Sequence, residues 1–333
     1  YNDLDSSFKD FGFQESGTFS TSYGTWNTAF SPENSDGISQ VFRQFEQNRK
    51  EISERLAIEK FGSTQGLARD TFGYVVGYSK TSQDVLIPAF LAAYSGTNVN
   101  AVDLSPFPKL PIPNWSVNYN GLSKLKFVKN WASNIALSHR YSSTYTVGNF
   151  LTPSAINRDT AAGVTDFLSQ FIIRTVSITE RFAPLFGVEV TLVNNVTASV
   201  KYNKDRTVNL ALGNRQLNEQ LGEEFTFGMG YRTKKLKIPI GRTRQLVLDN
   251  DINFRLDFSY RENVTKVRNI DVETNIPVLG QTIYSFRPSV EYQINTKLML
   301  RIFYDRRQTN PLTSNQYPTV ISSGGFSLRY TIQ

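Results

Sequence analysis

At 333 residues the chain has room for one large domain or two ordinary ones, and its net charge of +7 is spread along the sequence instead of gathered into a nucleic-acid footprint. It contains no cysteine, which excludes disulfides, thiolate metal sites and thiol nucleophiles. Only 39% of residues are hydrophobic, and no window approaches the roughly 18 consecutive apolar residues of a membrane helix. A β-barrel stays open, because its period-2 pattern hides apolar residues from averaged hydropathy.

The chain begins at Tyr1 with no signal-peptide pattern, so a mature or C-terminal piece of something longer is expected. Residues 1–37, rich in Gly, Ser, Thr and aromatics, read as a strand and loop segment of a barrel, with a poorly phased strand candidate over 19–30. Residues 38–113 read as a helical insert with a Pro-rich connector. Val41, Phe42, Phe45, Ile52, Leu56 and Phe61 recur at roughly helical spacing, and Asp36 or Ser39 can cap the start. A second helix is expected over 82–94, stopped by Gly96 and either kinked by Pro88 or carrying it in its first turn. Pro106, Pro108, Pro111 and Pro113 then mark an extended connector.

From residue 114 to the end the pattern is all-β, with about ten strands expected. The clearest run is 252–261. Ile252, Phe254, Leu256, Phe258 and Tyr260 alternate with Asn253, Arg255, Asp257, Ser259 and Arg261. Side chains of a strand point alternately to opposite faces, so one face is apolar and the other charged. A strand crossing a bilayer needs about 9–11 residues, and this run is long enough. Similar runs are expected over 131–147, 188–202, 225–231, 284–294, 298–304 and 326–332, with further strands over 171–183 and 206–213.

Two details favour a transmembrane antiparallel β-barrel over a soluble sandwich. The apolar phase carries no charge in the last four runs, and Arg or Lys facing lipid at the midplane costs ~2–4 kcal/mol. Tyr202, Tyr231, Tyr260 and Tyr304 each end an apolar row, where an aromatic girdle would sit. The expected lipid-facing and girdle residues are therefore Tyr202, Tyr231, Phe254, Phe258, Tyr260, Tyr304 and Tyr330. Those expected to face an aqueous lumen are Asn253, Arg255, Asp257, Arg261, Arg287 and Glu291. The short 295–296 turn falls on the side of the C-terminus and the 309–321 loop opposite, as short periplasmic turns and longer outer loops require.

No constellation supports covalent chemistry, and no cofactor, metal or catalytic residue is expected. The single histidine, His139, lies in an apolar phase and reads as packing. Asp249, Asp251 and Asn253 imitate a calcium loop but lack its turn glycine and distal Glu. Phosphate loops and nucleophile elbows are absent from the sequence.

Several segments resemble the C-terminal part of the SprA/Sov family. They are 83–96 (Gln83, Asp84, Val85 through Pro88 to Gly96), 107–115 (Phe107, Pro108 to Asn114, Trp115), 119–124, 139–145 (His139 to Tyr145) and 325–330. The resemblance covers most of the chain. Members are outer-membrane translocons of the type IX secretion system of Bacteroidetes, tied to gliding motility. It implies a share in a very large barrel wall that passes folded cargo proteins to the cell surface without chemistry of its own. Implied partners are the cargo, the lipid bilayer, a PorV-type small barrel, a periplasmic plug and a peptidyl-prolyl isomerase, with no nucleic acid. The alternatives are a self-contained porin or solute transporter, and a secreted sandwich that binds glycan or protein.

Overall fold

The computed structural model describes residues 15–31, 38–153, 166–240, 244–271, 275–313 and 316–332. The expectations for residues 1–14 and 32–37, the Asp36 cap among them, lie outside these residues.

The chain is mostly antiparallel β-sheet. Twelve strands run β1 Ser16–Ser22, β2 Trp115–Tyr119, β3 Ala132–Leu151, β4 Ile172–Leu192, β5 Val196–Ala211, β6 Gln216–Thr233, β7 Leu236–Ile240, β8 Arg244–Leu248, β9 Ile252–Asn269, β10 Asn275–Gln293, β11 Leu298–Pro311 and β12 Thr319–Tyr330. Ten of them form one sheet in the order β1, β3, β4, β5, β6, β9, β10, β11, β12, with β2 also on β3. Strands β1 and β2 lie end to end along one edge of β3, and β7 and β8 form a separate hairpin. The sheet is open between that edge and β12, so closure into a barrel is not seen among the described residues.

The strands are longer than the sequence suggests. β4 has 21 residues, β3 has 20 and β9 has 18, about twice a membrane crossing. The alternating run over 188–202 is two strands, because the chain reverses at Asn195 in a left-handed conformation (φ 65°). Apolar phase survives the turn, so alternation alone cannot reveal it. Segments 171–183 and 188–192 instead join as β4, with a register shift between Phe182 and Phe186. Segments 196–202 and 206–211 likewise join as β5. The β7–β8 hairpin was not anticipated, and of the 19–30 candidate only Ser16–Ser22 is strand before a 3-10 turn at Trp26–Thr28.

Both helices form where expected. α1 spans Gln40–Phe61, with the Ser39 hydroxyl accepting from the Phe42 N–H and Gly62 closing the C-terminus in the left-handed region. Its buried stripe includes Val41, Phe42, Phe45, Ile52 and Ala57, while Phe61 is exposed. α2 spans Gln83–Ser95, with Pro88 inside and Gly96 as the left-handed cap. Every residue from Val85 to Ser95 is buried, as a helix apolar all round requires. The largest core joins the two helices to Tyr145, Val147, Val176, Ile178, Val208, Leu210 and Leu217 of the sheet.

Candidate functional site

The register from β5 to β9 runs without a slip, so parity can be followed across strands. On β5 the even residues Val196, Ala198, Val200 and Tyr202 share a face with Arg206, Val208 and Leu210. Across β6 and β9 that face continues as Tyr231, Met229, Phe227 and Phe225, then Phe254, Leu256, Phe258 and Tyr260. On β10 it carries Tyr284, Phe286, Val290 and Tyr292, and on β11 and β12 Leu300, Ile302, Tyr304, Phe326, Leu328 and Tyr330. The half of the face near the short 193–195 and 294–297 turns is therefore an apolar belt, broken on β11 by exposed Arg306, which pairs with Phe286 in the row of Phe258, and on β12 by Ser322 and Gly324. From β3 to β9 the other half is covered by α1, α2 and the 25–31 segment.

The belt is uncovered. Val200, Phe225, Phe227, Met229, Tyr231, Phe258, Phe286, Ile302, Tyr304, Phe326, Leu328 and Tyr330 are all classed as exposed. Soluble monomers rarely show a continuous apolar patch beyond a few hundred Å², and this one crosses the strands from β5 to β12. Five rows from Ile252 to Tyr260, eight steps of ~3.3 Å at a ~35–45° tilt, give a height of roughly 19–22 Å, somewhat under the ~25 Å apolar band of a membrane barrel.

Aromatic rings cluster at the margin beneath the helices. Phe186 stands 5.6 Å from Tyr202, Tyr202 stacks on Phe225 at 4.4 Å, and Tyr260 lies 5.1 Å from Tyr284. One residue pair higher the face turns polar: Lys204 pairs with Glu223 at 3.0 Å, and the Tyr202 hydroxyl donates to the same carboxylate. Toward β3 the aromatic row meets Phe182, Tyr141, Trp115 and His139. The His139 Nδ1–H donates to the Leu185 carbonyl at 2.6 Å, and Nε2 accepts from the Trp115 indole N–H at 3.0 Å. Both ring nitrogens are engaged, leaving neither as a base.

The opposite face is polar and concave. A cavity of about 890 Å³ touches that face from β4 to β11, which requires the sheet to curve toward it. Asn253, Arg255, Asp257, Arg287 and Glu291 line the cavity. Arg261 lies on the same face beyond it, held by Asp205 at 2.8 Å. All six residues expected to line water thus share one face, and all seven expected to meet lipid share the other.

Charge in the cavity is nearly balanced. Lys201, Arg232, Arg255, Arg287 and Arg301 face Glu189, Asp257, Glu291 and Asp305. Arg255 pairs with Asp257 at 2.7 Å, and Arg301 approaches Glu291 at 3.6 Å. On β6, Gly228 and Gly230 leave room on this face: an added Cβ would stand 2.6 Å from the Ser199 Oγ and 2.5 Å from the Thr197 Oγ1. Glycines on the inner side of a bend let neighbouring strands close up. Asp251, part of the imitation calcium loop, is instead occupied by Arg232 and Lys234.

Sequence reading missed the joint between insert and sheet. Glu180 and Arg206 are cross-strand partners on the face that carries the belt, paired at 2.9 Å and almost fully buried. Glu180 also accepts from the Thr25 and Tyr141 hydroxyls, each at 2.7 Å, and Arg206 donates to the Thr28 carbonyl at 2.9 Å. A second buried pair, Glu219 and Arg268, lies under the Phe42 ring of α1. The signal was present: these charges interrupt phases that are apolar elsewhere.

No protein-family model matches the chain, and no curated protein matches it.

Proposed function

We propose that the chain is part of the wall of a large outer-membrane β-barrel, with the belt in lipid and the concave charged face lining an aqueous protein-conducting channel. The observation that carries this reading is the division of one curved sheet. A bare apolar band approaching membrane height lies on one side, and a charged trough lies on the other. Lipid rewards the first and water the second.

Two features favour a large wall over a self-contained small barrel. Among the described residues the sheet holds ten strands and leaves two edges unpaired, β12 and the β1–β2 side, and an unpaired edge is untenable in lipid. The near balance of charge in the trough suits passage of varied polypeptides better than selection of one ion. The resemblance to the SprA/Sov family agrees with both and supplies the specific assignment: a type IX secretion translocon that passes folded cargo, with a PorV-type barrel, a plug and a peptidyl-prolyl isomerase as partners. The channel is passive in this reading.

Orientation follows. In this reading the C-terminal strand and the 193–195 and 294–297 turns lie at the periplasmic end, together with the β7–β8 hairpin between β6 and β9, and the helical insert stands at the cell surface, against the outside of the wall and not in its lumen.

The test is fractionation followed by bilayer recording. The full-length protein should stay with membranes through carbonate washing, show heat-modifiable electrophoretic mobility, and open large, weakly selective conductances. Recovery in the soluble fraction without detergent would overturn the membrane reading. A small, strongly selective conductance would overturn the protein-conducting one.

A further inference from the structure

One segment at the lower margin of the belt is neither strand nor simple turn. Residues 120–131 leave β2, make a 3-10 turn at Gly121–Lys124 and two further turns, and enter β3. Val128 and Leu122 tuck under it, packed with Ala132, Ile135, Val190 and Leu192 of the belt face. The Ser123 hydroxyl accepts from the Ile135 N–H at 2.8 Å, and the Val193 N–H bonds the Trp131 carbonyl at 3.1 Å. The segment is therefore fixed to the periplasmic end of the wall.

What it displays outward is unusual. Leu125, Phe127 and Trp131 are exposed, Phe127 by 67%. Lys124, Lys126 and Lys129 alternate with them and are exposed as well, and from Asn120 to Ser133 there is no Asp or Glu. Apolar and aromatic side chains interleaved with lysines suit the boundary between acyl chains and headgroups. A cationic surface there attracts acidic lipid by about fivefold per lysine.

We propose that residues 120–131 form an interfacial platform for acidic phospholipid headgroups, with Lys124, Lys126 and Lys129 meeting phosphate and Phe127 and Trp131 entering the acyl boundary. The platform rests on the membrane reading of the belt and deepens it. It pins the wall in depth and gathers acidic lipid at the β2–β3 edge of the sheet.

These 333 residues hold no cysteine, so in the full-length protein, with every cysteine outside them changed to serine, a single Asn130→Cys carries a unique bimane probe, with Phe258→Cys as a reference in the belt. The full chain is reconstituted into phosphatidylcholine bilayers containing a fixed fraction of either brominated phosphatidylglycerol or brominated phosphatidylcholine. The expected result is quenching of the 130 probe at least threefold stronger by the acidic lipid. That preference should vanish in Lys124→Gln/Lys126→Gln/Lys129→Gln, with heat-modifiable mobility retained. Equal quenching by both lipids, or a preference that survives the triple substitution, overturns the platform. A quenched belt probe with a silent 130 probe overturns the platform and leaves the wall reading standing. Silence at both positions overturns both.

Discussion

The Arg206 guanidinium, on β5, lies 2.9 Å from the Glu180 carboxylate on β4, and neither is reached by solvent. This pair is the rivet between sheet and insert, because its remaining hydrogen bonds go to Thr25, Thr28 and Tyr141. Breaking a buried pair leaves an uncompensated charge, at ~3–5 kcal/mol. Arg206→Met is therefore expected to release the 25–31 segment to limited proteolysis and lower the urea midpoint accordingly. The double variant Glu180→Leu/Arg206→Met should recover only part of the loss, since the Thr25 and Tyr141 hydroxyls lose the carboxylate they donate to and the Thr28 carbonyl loses one of its two donors. Full additivity of the two single variants would show that the pair is not coupled.

Face assignment is testable by a neighbouring pair of substitutions. Phe258→Arg puts a charge into the belt, one row from its Tyr260 margin and two strands from Arg306, at up to ~2–4 kcal/mol if that face meets lipid. Asp257→Asn, one residue earlier and on the trough face, removes a carboxylate that pairs with Arg255 and should cost under ~1 kcal/mol. The yield of heat-modifiable protein should fall sharply for the first and hardly for the second. Equal yields would contradict the division of faces.

Trough charge should govern ion preference. Arg255→Glu/Arg287→Glu turns two cations in the cavity into anions, and the reversal potential in a salt gradient is expected to move toward cation preference. Assembly yield should be unchanged. An unmoved reversal potential in a conducting protein would place these side chains outside the permeation path.

Asp84 sits in the first turn of α2, and burial pushes its carboxyl above the usual range, partly offset by hydrogen bonds from Ser169 and Gln83. A carboxyl raised in the folded state binds more protons folded than unfolded, so it lowers stability as pH rises through its folded pKa. Asp84→Asn is expected to raise the thermal midpoint at neutral pH. That gain should fade in acid, below the ordinary carboxylate range, where both proteins are uncharged at this site. A pH-independent difference would assign the effect to packing.

The helices and the two-faced strands were legible because their physics is local. Ser39 caps the start of α1, Gly96 ends α2, and alternation from Ile252 to Arg261 names two faces without reference to any neighbour. The reversal at Asn195 was illegible because the phase from Val188 to Tyr202 survives the turn. The union of 171–192 into one strand was hidden because the irregularity around Pro184 breaks the pattern without breaking the strand. The Glu180–Arg206 rivet depends on residues far apart in sequence, so no window contains it.

By itself the sequence determined that no described helix crosses a membrane, that the C-terminal two thirds is strand, and which side chains share a face. Those follow from periodicity, which each residue imposes on its own neighbourhood. Only the tertiary structure decided which strands pair, which way the sheet curves, and that α1 and α2 cover the same face that lower down carries the bare belt. Register and curvature are set by hydrogen bonds and close packing between distant segments, with Gly228 and Gly230 yielding on the inner side.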